Sequence, residues 1–135
     1  MMIEKASSYP FYAGERKVFG RPIGANQAIQ GPLAAAYSKL ECAWLGILKA
    51  ASMFDAQQDP KAVGDVCSMA KYLAIEAGTE GAYHTMQTFG GYGFAREYHV
   101  ERWFREMQLA RVAPITQQMT LNYVAEHILG MPRSY

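Results

Sequence analysis

The strongest constraint on the fold is a long stretch of helical periodicity interrupted only around Asp55–Asp59. From about Ala28 to Phe54, the residues Ile29, Leu33, Ala36, Leu40, Trp44, Ile47 and Ala51 recur three or four positions apart. That period places them on one face of an α-helix. Pro32 is tolerated in this helix if it lies in the first turn and kinks it otherwise. Asp59 and Pro60 then read as an N-cap and a first helical residue. The second long helix is predicted over Pro60–Thr88, about 43 Å at 1.5 Å per residue. Val63, Cys67, Ala70, Ala74, Ala77 and Gly81 form its stripe, and side chains this small let a partner helix approach closely. Gly90 and Gly91 end it as a C-terminal glycine does. Two long helices with a short connection predict antiparallel neighbours, so the chain is expected to be all-α, an up-down helical bundle.

The shorter elements follow from punctuation. Residues 2–9 read as a short helix that stops before Pro10. Glu15–Gly24, which carries Gly20, Pro22 and Gly24, reads as a loop. A further helix is predicted over Glu97–Ala110 with Val100, Trp103, Phe104 and Met107 inward. Pro114 interrupts, and a last helix starts near Thr116, an N-cap, and ends before Gly130, with Leu121, Val124 and Ile128 as its apolar face. No segment reads as a strand.

A length of 135 residues fits one domain, taken as 1–135, and a half-hydrophobic composition can supply its core. A net charge of +1, with basic residues scattered along the chain, excludes an electrostatic case for nucleic acid. Cys42 and Cys67 sit inside apolar helical patterns and read as small buried hydrophobes or free thiols of a reducing compartment. The opening MMIEKASSYP lacks a signal-peptide core, and no run approaches the about 20 apolar residues of a membrane span. The cytoplasm is the expected location, or a mitochondrial matrix after processing. His84, His99 and His127 have no metal-ligand spacing and read as structural or solvent-facing. No HExxH, Walker loop or GxSxG is present.

Two segments stand out chemically. In Glu15-Arg16-Lys17-Val18-Phe19-Gly20, Arg16 offers a guanidinium fork suited to phosphate oxygens; the alternative is a solvated loop. In Gln87-Thr88-Phe89-Gly90-Gly91-Tyr92-Gly93-Phe94, the glycines leave backbone uncovered for a flat ligand or a phosphate, and flanking rings could wall a cofactor. The alternative there is a helix C-cap followed by a flexible turn.

Taken together and in this order, ERKVFGRPIGANQAIQ and QTFGGYGFAREYHVERWFREMQLARVAPITQQ resemble the C-terminal domain of acyl-CoA dehydrogenases over nearly the whole chain. The resemblance implies a helical bundle that helps form homodimers or homotetramers, with FAD lying between subunits. It implies that Arg16 contacts the FAD pyrophosphate of a neighbouring subunit. Phe19 would pack near that cofactor and Gln27 would border it at the head of the long helix. Gln87, Thr88, Phe89, Gly90 and Gly91 match the stretch whose backbone and Gln side chain hold the adenosine-pyrophosphate end. Thr116 and Gln118 match positions near the flavin and adenine contacts.

The departures are equally specific. Many family members carry Glu-Gly-Thr where this chain has Pro114-Ile115-Thr116, and that Glu is the base that removes the substrate α-proton. Proline cannot accept a proton. The isovaleryl-type members place the base on an earlier helix, at a position that would fall before Met1, and Glu4 does not match it. No catalytic residue is therefore assigned. Residues matching the family's N-terminal helical and middle β domains are absent from the sequence. Tyr9-Pro10-Phe11-Tyr12 resembles an insertion, and Pro10 is expected to break the first helix. The resemblance makes the chain the FAD-contacting and oligomerisation part of an enzyme that carries out α,β-dehydrogenation of acyl-CoA thioesters. Alone it is expected to be inactive and to hold FAD poorly. Acyl-CoA would bind only with the missing domains. The competing readings are a non-catalytic helical interaction module and a subunit that assembles with a separate FAD-bearing chain.

Overall fold

The computed structural model describes residues 9–134. A short helix α1 (Tyr9–Glu15) leads into a small hairpin, β1 (Lys17–Val18) and β2 (Arg21–Pro22), then a 3₁₀ turn (Ile23–Ala25). The long helices α2 (Gln27–Asp55) and α3 (Pro60–Phe89) follow. Two 3₁₀ turns (Gly90–Phe94 and Arg96–Tyr98) precede α4 (Val100–Val112), and α5 (Gln117–Tyr123) continues into a wider π turn (Val124–Ile128). The fold is the expected all-α, up-down bundle. The proposed helix over residues 2–9 lies largely outside the described residues. Pro10 lies inside the described helix Tyr9–Glu15, and whether it ends a helix over residues 2–9 falls outside the described residues.

The helix ends obey local chemistry. The Asn26 side chain accepts from the Ala28 N–H at 3.0 Å, and Asp59 accepts from the N–H groups of Lys61 and Ala62, so both long helices begin at side-chain caps. Pro32 lies beyond the first turn of α2, yet the helix is continuous from Gln27 to Asp55. It forgoes one bond, to the carbonyl of the exposed Ala28.

The seam between α2 and α3 uses Ala70, Ala77 and Gly81 of the predicted α3 stripe and departs from the predicted stripe on α2. Ala36, Ala43 and Ala50 are buried on α2, and Ala70 and Ala77 on α3. These steps are seven residues, the spacing of a coiled-coil seam. A Cβ added at Gly46 would sit 3.2 Å from the Ala70 Cβ, and one at Gly81 would sit 3.6 Å from the Ala36 Cβ, which fixes the antiparallel register. Of the predicted α2 stripe, Ala36 is buried and Ile29, Leu33 and Leu40 are half-buried, but Trp44, Ile47 and Ala51 are exposed. The backbones approach so closely that only alanine and glycine fit between them, and the large side chains turn outward. Cys67 is displaced by the same seam. Both cysteines are exposed free thiols, not buried hydrophobes.

The hairpin corrects the reading of Glu15–Gly24 as a plain loop. Lys17 pairs with Pro22 and Val18 with Arg21, and the two turn residues, Phe19 (φ 53°) and Gly20 (φ 77°), are both left-handed. That is the turn whose twist suits a two-residue hairpin loop. Strands two residues long carry no readable alternation. Helix α4 begins at Val100, not Glu97, because His99 is left-handed (φ 56°) and separates Arg96–Tyr98 from the helix. Val100 and Met107 are buried, with Trp103 and Phe104 half-buried, as expected. Gly78 makes room for Met107: a Cβ there would lie 2.7 Å from the Met107 Cε. Thr116 caps α5 by accepting from the Met119 N–H. On α5 the buried residue is Thr120, while Leu121 is exposed and Val124 and Ile128 are half-buried. Polar ties to α3 hold this helix: the Tyr123 hydroxyl donates to Asp65 at 2.9 Å, and Lys61 donates to Asp65 and to the His127 carbonyl.

Candidate functional site

Arg16 follows the last residue of α1 and is held by backbone on both sides. Its N–H donates to the Tyr12 carbonyl at 2.9 Å, and its carbonyl accepts from the Ile23 N–H at 2.9 Å, closing the base of the hairpin. The guanidinium lies 4.9 Å from the Tyr92 ring centroid and 5.8 Å from that of Tyr12. Both distances lie within cation–π range. Tyr12 stacks on Phe89 with centroids 3.9 Å apart, and Tyr98 meets the edges of both rings and tilts against Tyr92. Phe89 is buried with Met86 and Val100. The two segments singled out in the sequence therefore converge: the arginine loop sits on the glycine turn through four aromatic rings.

The roles within that turn separate by geometry. Phe89 spends its ring on the core, so only its backbone is left for a ligand. Gly90 needs a backbone (φ 58°, ψ −133°) that side chains resist. Gly93 is required by packing, since its Cβ would lie 2.7 Å from the Met86 sulfur. Gly91 is different: a Cβ there would meet nothing within 4 Å and its φ is not left-handed. Among the described residues, nothing in the packing demands glycine at that position. Gln87 is exposed, and the Thr88 hydroxyl donates to the His84 carbonyl. Phe19 is fully exposed at the hairpin tip, and Gln27 is exposed at the first position of α2.

Thr116 and Gln118 belong to a second group at the join of α4 and α5. From Phe89 back to Glu76, which meets this join, is about 20 Å along α3. Within one chain the expected site residues thus fall into two clusters and not one pocket. At the join, Glu76 Oε1 accepts from Arg111 Nη2 at 2.6 Å and from the Gln117 side-chain amide. These two donors, Gln117 first and then the Arg111 guanidinium, hold the Glu76 carboxyl below its ordinary value. Pro114 and Ile115 are exposed, and Gln118 is exposed beside the capping Thr116. No group of three His, Cys, Asp or Glu residues is placed to hold a metal among the described residues, and no described helix is long and apolar enough to cross a membrane.

The aromatic partners of Arg16, Tyr12 and Tyr92, were not assigned from the sequence. Tyr92 carried a signal in its position between two glycines. Tyr12 carried none, because its contact with Phe89 spans most of the chain.

Residues 9–129 match the family model described as acyl-CoA dehydrogenase, C-terminal domain. The chain belongs to the acyl-CoA dehydrogenase family. It is 42% identical over 124 residues to the acyl-CoA dehydrogenase FadE12 of Mycobacterium tuberculosis, covering 92% of this chain and 32% of that protein. Among solved structures, butyryl-CoA dehydrogenase from Megasphaera elsdenii superposes with a TM-score of 0.86 at 25% identity, covering 95% of this chain and 33% of that one. The FAD complex of PigA superposes with a TM-score of 0.87 at 25% identity, covering 96% and 33%. The chain spans about a third of the length of the relatives it matches. It is the C-terminal helical domain of an acyl-CoA dehydrogenase-like flavoprotein, a family whose cofactor is FAD.

The residues of the first cluster fit that cofactor. Arg16 presents a cation suited to a pyrophosphate. The Tyr12 hydroxyl is buried and has no hydrogen-bond partner among the described residues. Gly90 and Gly91 leave the backbone open beside them.

Proposed function

We propose that this chain forms one wall of an FAD site shared with another polypeptide, in an enzyme that carries out α,β-dehydrogenation of acyl-CoA thioesters. The observation that carries the reading is Gly91. It is an open glycine with no packing role among the described residues, on the turn against which Arg16 rests. Arg16 would hold the pyrophosphate, and the backbone of Gly90 and Gly91 would lie against the adenosine end, with Gln87 on its polar edge. Phe19 and Gln27 would border the same cofactor from the hairpin and the head of α2. Thr116 and Gln118, about 20 Å away along α3, would serve the flavin of a neighbouring subunit. FAD, when bound, supplies the acceptor for the substrate's hydride.

The proton acceptor comes from elsewhere. Proline stands at the family's base position, and Glu76, the carboxylate tied to this join, is engaged by Arg111 and Gln117. The purified chain is therefore expected not to reduce an acceptor dye when given acyl-CoA. Turnover by the chain alone would overturn this part of the reading.

FAD binding by the purified chain, followed by flavin fluorescence, tests the site itself. Weak binding is expected, reduced roughly tenfold or more in Arg16→Ala, since a charge-assisted fork is lost, and reduced again in Gly91→Val. Binding that neither variant alters would overturn the assignment. The exposed apolar face of α2, with Tyr37, Leu45 and Leu48, supports a second reading: a helical interaction module that assembles without flavin. A stable oligomer with no affinity for FAD would favour it.

A further inference from the structure

The Ala113–Thr116 connection has almost no apolar burial of its own. Pro114 and Ile115 are exposed, and its ends are tied by the Ala113 N–H to the Leu109 carbonyl and by the Thr116 cap. What fastens it to the rest of the domain is polar and comes from α3. Lys71 donates to the Ile115 carbonyl in the middle of the segment. Glu76 accepts from Arg111 on one side of it and from Gln117 on the other, both on the single oxygen Oε1. One carboxylate therefore joins the last turn of α4 to the first turn of α5 across the segment where proline replaces the family's base.

We propose that Glu76 is the positioning residue of this connection, clasping α4 to α5 through Arg111 and Gln117 so that Ala113–Thr116 keeps one arrangement against α3. The importance of that arrangement for substrate rests on the function proposed above; the clasp itself does not. The charged groups around Glu76 come from several elements. Arg111 faces it from α4 and Lys39 from α2, with Lys39 itself paired to Glu80, one turn further along α3. Gln117 faces it from α5. The Arg111 Nε is buried and has no hydrogen-bond partner among the described residues. Neutralising Glu76 therefore weakens the main partner of a guanidinium already short of one, an unfavourable state in a partly buried place. A carboxylate gripped in this way takes up a proton reluctantly, which suits it to holding the segment and not to proton removal.

Amide hydrogen exchange by NMR on the purified chain reads the clasp directly, after correction for intrinsic pH dependence. The reporters are Ala113, Met119 and Thr120, whose N–H groups bond at the two ends of the connection. Glu76→Gln is expected to speed their exchange roughly tenfold at neutral pH, with Ala43 and Ala77 in the α2–α3 seam unchanged. In the wild-type chain the same loosening should appear as pH falls through the Glu76 titration, and it should be absent from the pH profile of Glu76→Gln. Glu76→Asp, which keeps the charge, should recover part of the protection. Equal protection in Glu76→Gln and wild type, or a loss spread equally over the α2–α3 seam, would overturn the proposal. If Glu76→Gln fails to fold, the wild-type pH series and Gln117→Leu decide it by the same criterion. FAD binding that neither Arg16→Ala nor Gly91→Val alters would overturn the proposed function and leave the clasp standing.

Discussion

An added Cβ at Gly93 would lie 2.7 Å from the Met86 sulfur and 3.1 Å from the Met86 carbonyl oxygen, whereas at Gly91 it would meet nothing within 4 Å. The carbonyl cannot yield as a side chain can. Gly93→Ala is therefore expected to destabilise the chain by about 1–3 kcal/mol, the usual effect of overpacking. Gly91→Ala should leave stability within about 0.5 kcal/mol of wild type while weakening FAD binding. Urea midpoints of the two variants check the first pair of outcomes, and flavin titration the last. Equal midpoints for both would remove the distinction between a packing glycine and a ligand glycine. The sequence made both segments of the site legible, because an arginine in a turn and a glycine cluster after a helix are local patterns. It did not reveal that Tyr12 and Tyr92 flank the Arg16 guanidinium, since that arrangement exists only once α1 has packed on the end of α3.

At the scale of elements, the two long helices could be read because each has a sustained period and α3 has the Asp59 cap as well. The buried face of α3 was largely legible in its small-residue stripe, with Ala70, Ala77 and Gly81 at the seam, but that of α2 was not. A pattern search favours the larger apolar residues, and here Trp44 and Ile47 lie outside while Ala43 and Ala50 lie inside. The hairpin escaped for the opposite reason: two-residue strands are too short to carry a pattern. A seam this tight leaves no room for growth. Ala43→Leu should cost about 1–3 kcal/mol or more in a denaturant titration, and a neutral result would mean that the helices can separate freely. The last helix depends on charge. Lys61 and Tyr123 hold the Asp65 carboxyl below its usual value, with His127 adding a smaller influence. A carboxyl with a lowered folded value contributes stability above its unfolded pKa, about 3.9, and loses it as pH falls through the folded value. Lys61 is raised by its bond to Asp65 and Tyr123 is raised by the same carboxylate. Their contributions are present below their unfolded values and are lost at alkaline pH. Exchange protection at Thr120 and Leu129 should therefore fall at both extremes before the α2–α3 seam opens, and Tyr123→Phe should narrow the plateau at the acid end. Protection at Thr120 and Leu129 that does not respond to pH would show that the ties contribute nothing.

For the whole molecule, Ala36, Ala43 and Ala50 bring α2 and α3 together nearly backbone to backbone, and the bulkier side chains are left on the surface. Leu45 is 64% exposed and Phe54 is 73% exposed. Melting such a chain uncovers little new apolar surface, because much of it is already wet. The heat capacity change on unfolding follows the apolar area exposed. In dilute solution it should therefore fall below the about 12–15 cal/mol/K per residue of ordinary globular domains. If copies associate through α2, as the second reading proposed above requires, calorimetry at high concentration should find the increment rising toward that range and the melting temperature rising with it. On the proposed oligomer reading, the thermal signature of this domain belongs to its assembly more than to its fold.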